Sequence, residues 1–199
     1  TQTLVSVTGV GRIAKDRMIT TGGLKPGQEL VITKWIGLEG SSILAKEKED
    51  VLKEKLPEEM VETAKEFDHF LSVVRDSEVA MQVGVSAMHD VTEGGIFGAL
   101  WEMASASGVG LEVDLKKIPI RQETIELCEV LDINPYMLIS SGSMLIGTSH
   151  GQELVDKLGL AGIPAAVVGY ATEGNDRVII NGEERRYLEP PKTDELFRA

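Results

Sequence analysis

The stretch Met88-His89-Asp90-Val91-Thr92-Glu93-Gly94-Gly95-Ile96 constrains this chain more than any other. Val83 to Met88 is short, apolar and partly β-branched, the pattern of a buried strand, whereas Ile96, Leu100, Met103 and Ser107 repeat at helical spacing. A strand therefore runs straight into a helix. Between them lie two acids, a hydroxyl and paired glycines, which let the backbone turn sharply and leave the first helical N–H groups facing the junction. Two roles stay open at this point. Asp90 or Thr92 could cap the helix, or the junction could hold an anion against the amides.

Other junctions follow the same plan. Glu29 to Ile36 reads as a strand, and Gly37-Leu38-Glu39-Gly40-Ser41-Ser42 leads into a helix over Ser41 to Lys48. That turn lacks the Lys-Ser/Thr ending of a P-loop, so close helix–strand packing is its simpler role. Ser140-Ser141-Gly142-Ser143 opens the strand Met144 to Thr148, and as an isolated signal it is a turn.

Around these junctions the chain alternates strands and helices. Thr3 to Val10 has strand character. Lys46 to Asp68 is a charged, solvated stretch split by Pro57, with one helix expected over Pro57 to Phe70 and another over Asp76 to Val83. Gly108 to Leu115 reads as a strand and Gln122 to Leu131 as a helix. Gly151 to Leu158 reads as a further helix. Ala165 to Ala171 and Arg177 to Ile180 follow as strands joined in a hairpin through Glu173-Gly174-Asn175-Asp176. Glu183 to Ala199, charged and carrying Pro190-Pro191, is expected to be extended or disordered. The fold class is α/β (α+β), a mixed β-sheet flanked by helices. The expected divisions are a connector over 1–36, a domain over 37–182 and a tail over 183–199.

Composition narrows the function. With 199 residues, 42% of them apolar, the chain has enough material for one proper core. A formal net charge of -12 argues against nucleic-acid or anionic-membrane binding. No apolar run reaches spanning length and no signal-peptide pattern opens the chain, so a cytoplasmic location is expected. The single Cys128 falls on a helix as a small core residue, which excludes an internal disulfide and a cysteine-based zinc site. No nucleophile elbow marks a serine triad. What remains is Asp90 and Glu93 beside Gly94-Gly95, an acidic, glycine-rich corner suited to a magnesium-bound phosphate or an amide substrate. It lacks the basic cluster and second aspartate pair of a self-sufficient ATP site, and with Thr1 as its first residue the chain reads as a piece of something longer.

Met88 to Ile96, Trp35 to Ala45, Ser140 to Ile146 and the Val167-Val168-Gly169 strand together resemble the C-terminal half of the aminoimidazole ribonucleotide (AIR) synthase-related superfamily. Within it the chain is most similar to the hydrogenase maturation factors. The resemblance implies a two-domain, homodimeric enzyme using ATP and Mg2+, with most nucleotide and metal ligands in a preceding domain and none assigned to metal here. It implies a carbamoyl or amide substrate and a possible maturation-protein partner. Asp90 and Glu93 would be the catalytic residues, with Thr92, Gly94 and Gly95, then Gly37, Gly40, Ser141 and Gly142, lining the nucleotide cleft. The alternative is a non-catalytic domain serving dimerisation or partner binding. In its favour stand the absence of first-domain aspartates and a tail ending Asp194 to Ala199 where maturation factors carry a terminal cysteine.

Overall fold

A computed structural model describes residues 5–190 and 192–199. Among these residues seven strands form one sheet: β1 (Glu29–Thr33), β2 (Ala87–Asp90), β3 (Gly110–Asp114), β4 (Met144–Thr148), β5 (Ala165–Thr172), β6 (Arg177–Asn181) and β7 (Glu184–Tyr187). Their order is β2-β4-β1-β5-β3-β6-β7, and every pairing is antiparallel except β3 with β6. The mixed sheet agrees with the expected class.

Burial explains the centre. β1 is apolar on both sides: Leu30 and Ile32 enter one core with Ile96, Leu100 and Met103, while Val31 enters a second with Val79, Ile146, Leu154 and Leu158. Helix α5 (Gly95–Ser107) thus covers one face, and α4 (Val74–Val83) and α7 (Gly151–Leu160) cover the other. A third cluster joins α1 (Leu38–Glu47), α2 (Glu49–Lys53), α3 (Glu58–Lys65) and α6 (Gln122–Val130) through Leu38, Leu52, Val61 and Leu127.

The strand expected from Glu29 is β1, which pairs on both edges inside the sheet. Several expectations need correction. Residues 3 and 4 of the strand expected over Thr3 to Val10 lie outside the described residues, and 5–10 form no strand. The helix expected over Pro57 to Phe70 ends at Lys65 and continues as a 3-10 turn over Glu66–Phe70; at the change the Ser42 hydroxyl donates to the Lys65 carbonyl at 2.7 Å. The expected β5–β6 hairpin is not one, since β3 lies between the two strands. The 173–176 loop wraps over the start of β3, where Leu111 N–H donates to the Asp176 carbonyl at 2.8 Å. A Cβ on Gly110 would lie 2.6 Å from that same oxygen. The true hairpin joins β6 to β7 through Gly182-Glu183, with Gly182 at φ 66°. The tail is not free either: it supplies β7 and buries Leu188, Asp194 and Glu195.

Candidate functional site

β2 is an edge strand whose outer side is partly closed by the Thr20 carbonyl, which accepts from Met88 N–H at 3.3 Å. Asp90 ends the strand rather than standing in the turn. Beyond it Val91 N–H donates to the Ser143 carbonyl at 3.0 Å, and Gly95 N–H closes a turn on the Thr92 carbonyl at 3.1 Å. Gly94 and Gly95 have φ of 79° and 60°, backbone that suits glycine. Gly95 also has no room for a side chain, since a Cβ would sit 2.7 Å from the carbonyl oxygens of both Tyr136 and Leu138.

Neither Asp90 nor Thr92 caps α5. The cap comes from the tail. Gly94 N–H donates to Asp194 Oδ2 at 2.6 Å, and Ile139 N–H donates to Asp194 Oδ1 at 3.2 Å. Leu196 N–H adds a local bond at 2.8 Å, so one buried carboxylate gathers three backbone amides. Glu195, equally buried, accepts from Asn134 N–H at 3.3 Å and from Arg198 at 2.7 Å. The junction therefore does hold an anion, and it is this chain's own.

The second glycine turn meets the same loop. Gly37, left-handed at φ 72°, donates to Ser140 Oγ at 2.7 Å, and Gly40 N–H donates to the Ile139 carbonyl at 3.1 Å. A Cβ on Gly40 would run into Leu138 at 2.4 Å. Gly37, Gly40 and Gly95 are thus brought together around residues 136–140, with Gly94 linked to Ile139 through Asp194. Gly142 (φ 106°) packs against the Phe70 carbonyl instead, and Ser143 Oγ donates to the Trp35 carbonyl at 2.5 Å. Ser141 is half-buried, and no side-chain hydrogen bond ties it to the described residues.

The acids face outward. Asp90 and Glu93 are exposed and Thr92 is half-buried. Among the described residues no group of three or more His, Cys, Asp or Glu side chains is placed to hold a metal ion. Beside them, His89 bridges Thr21 Oγ1 (3.0 Å from Nδ1) and Glu102 Oε2 (2.8 Å from Nε2), tying the 21–23 turn to α5. Cys128 is buried among Leu44, Ile133 and Leu138, and burial, with Glu195 nearby, pushes its thiol up to about 12. It is a core residue, as the sequence suggests.

Sequence reasoning missed Asp194. Its signal was there: an Asp before Glu-Leu-Phe has the form of an N-cap, and Leu196 is an apolar residue in a charged tail.

Known proteins share both the sequence pattern and the fold. Residues 25–181 match the family model described as AIR synthase related protein, C-terminal domain. The chain is 29% identical over 142 residues to the carbamoyl dehydratase HypE of Rhodobacter capsulatus, covering 71% of this chain and 39% of that protein. It is 26% identical over 202 residues to a putative hydrogenase expression/formation protein of Methanocaldococcus jannaschii, covering 98% and 58%. A crystal structure of the hydrogenase maturation protein HypE in complex with ATP superposes with a TM-score of 0.69 at 19% identity, covering 94% of this chain and 57% of that one, and so shares its fold. The chain spans only about two fifths to three fifths of the length of these relatives. On the family match and the fold together, this chain belongs to the AIR synthase-related family and carries its C-terminal domain.

Proposed function

We propose that this chain is the C-terminal part of an ATP-dependent enzyme that activates a carbamoyl or amide oxygen so that it can leave. The observation behind this reading is the convergence of two motif segments, through Gly94 N–H and Ile139 N–H, on one carboxylate: a built anion position beside two exposed acids. HypE relatives, and a HypE structure in complex with ATP, support the substrate and nucleotide classes. The residues fit one side of such a site, with Asp90 and Glu93 open to a cation or a proton from across a cleft and no basic residue between Asp90 and Gly95.

ATP, when bound, supplies the phosphoryl group that makes the substrate oxygen a leaving group. This chain's part is to position and to move protons. Glu93 or Asp90 would take the proton released from the amide nitrogen, Thr92 would contribute a hydroxyl, and the glycine turns with Ser141 would keep backbone close to the nucleotide. A homodimer in a cytoplasmic setting, visited by a maturation-protein partner, completes the reading.

The test is ATP consumption by the full-length gene product. Glu93→Gln and Asp90→Asn should each lower kcat by about a hundredfold or more. Unchanged turnover in both variants overturns the assignment. The competing reading, a non-catalytic domain, draws on Asp194 already filling the junction. Absence of calorimetric ATP binding by the full-length product would establish it.

A further inference from the structure

On the tail side of α5 lies a cleft of about 340 Å3 that none of the residues Asp90 to Gly95 lines. Its floor is apolar, made by Phe97, Met137, Ile179 and Leu188. Its rim carries donors. The Arg186 guanidinium stands 5.7 Å from the Phe97 ring centre, and Phe97 in turn stacks on Tyr136 with centroids 5.4 Å apart and planes 12° from parallel. Lys192 and Asn134 also line the cleft, as does the Glu189 carboxylate.

Three features give this cleft a sign. Among the described residues neither Arg186 nor Lys192 forms an ion pair, although acids outnumber basic residues by 32 to 20 in the chain. The neighbouring Arg185, by contrast, is paired with Glu112. The Asn134 side-chain oxygen is used locally, accepting from Tyr136 N–H at 3.1 Å, which leaves its NH2 group as a third donor. Unpaired donors above an apolar floor match a ligand with an anionic head and an apolar body.

We propose that this cleft binds a small organic anion, about one ring in size, whose carboxylate or phosphate-ester head meets Arg186, Lys192 and the Asn134 amide while its body covers Ile179, Met137 and Leu188. The Arg186 guanidinium, 5.7 Å from the Phe97 ring centre, lies within reach of a head group whose body rests on that ring. This site does not depend on the function proposed above. Its failure would leave Asp90 and Glu93 untouched.

The experiment is a titration of the isotopically labelled chain followed by amide chemical shifts. The probes are phenyl phosphate and phenylacetate, with inorganic phosphate and benzyl alcohol supplying each half alone. Saturable shifts at Phe97, Asn134, Met137 and Ile179 are expected with one or both aromatic anions, and their relative affinity tells phosphate esters from carboxylates. Either half alone should bind at least about tenfold more weakly. Arg186→Gln, an exposed position, should weaken the aromatic anion by about tenfold, and Lys192→Gln by a smaller factor. The proposal falls if no probe gives saturable shifts at these residues. It falls equally if Arg186→Gln binds as well as the parent with its spectrum otherwise intact, or if inorganic phosphate binds as tightly as phenyl phosphate.

Discussion

Gly94 donates its backbone N–H to Asp194 Oδ2 at 2.6 Å, across 100 residues of chain. The same carboxylate takes Ile139 N–H, so the helix that organises the domain, the loop before β4 and the C-terminal tail share one cap. Asp194→Ala leaves the Gly94 and Ile139 amides without their acceptor. Each such loss costs on the order of 1–3 kcal/mol, so the variant should lose about 2–6 kcal/mol in urea denaturation. Asp194→Asn keeps one acceptor oxygen and should lose less. Equal stability of Asp194→Ala and the parent would show that the tail contact is not formed in solution.

Two glycines should respond in opposite ways. Gly95 combines φ of 60° with two carbonyl oxygens 2.7 Å from any Cβ, so Gly95→Ala should cost about 3 kcal/mol or more. Gly159 lies within α7, with nothing within 4 Å of an added methyl and ordinary helical backbone, so Gly159→Ala should stabilise by about 0.5 kcal/mol. Thermal melts of the pair check both signs at once.

Most of the sheet and the helix over Gly95–Ser107 were legible because they rest on local periodicity: Ile96, Leu100 and Met103 repeat every three or four residues, and Val and Ile crowd the central strands. The convergence of Gly37 and Gly95 on the 136–140 loop was not legible, since nothing local says which segments meet. The hairpin error has the same origin. The 173–176 turn has hairpin residues, but β3 occupies the adjacent edge of β5, so β6 pairs on the far side of β3. Charge and prolines mark the tail as extended, yet one buried Asp with three amides outweighs the composition of the residues around it.

A second buried charge lies on the opposite side of the fold. Lys34, at φ 55°, sends Nζ to Asp76 Oδ2 at 3.3 Å and to the Phe70 and Ser72 carbonyls, while Thr33 Oγ1 donates to Asp76 Oδ1 at 2.5 Å. Lys34→Met strands a carboxylate that is 2% exposed and should cost about 3–5 kcal/mol. Removing both charges, as Lys34→Met with Asp76→Leu, should recover much of that loss, because no ion is then left unpaired. Denaturant midpoints of the single and double variants measure the coupling. A double variant no more stable than Lys34→Met alone would mean that the carbonyl bonds of Nζ, rather than the charge pair, carry the effect.

Cys128 contributes to the alkaline limb of stability, alongside Tyr136 and Tyr170, which are also raised in the fold. In the unfolded chain its thiol titrates near 9.0, whereas burial first, and Glu195 second, raise it to about 12 in the fold. The folded state therefore keeps a proton that the unfolded state releases between those values. This contribution is fully present below pH 9 and is lost as pH rises towards 12, at up to about 1.4 kcal/mol per pH unit. Cys128→Ala removes the titrating group, so its stability should fall less steeply than the parent's across that window, after a loss at neutral pH from the vacated volume beside Leu44 and Leu138. The same burial predicts that the native thiol reacts with an aromatic disulfide reagent at about pH 8 far more slowly than the urea-unfolded thiol, since both access and thiolate fraction are reduced. Parallel alkaline limbs for parent and variant, together with rapid native labelling, would place Cys128 at the surface.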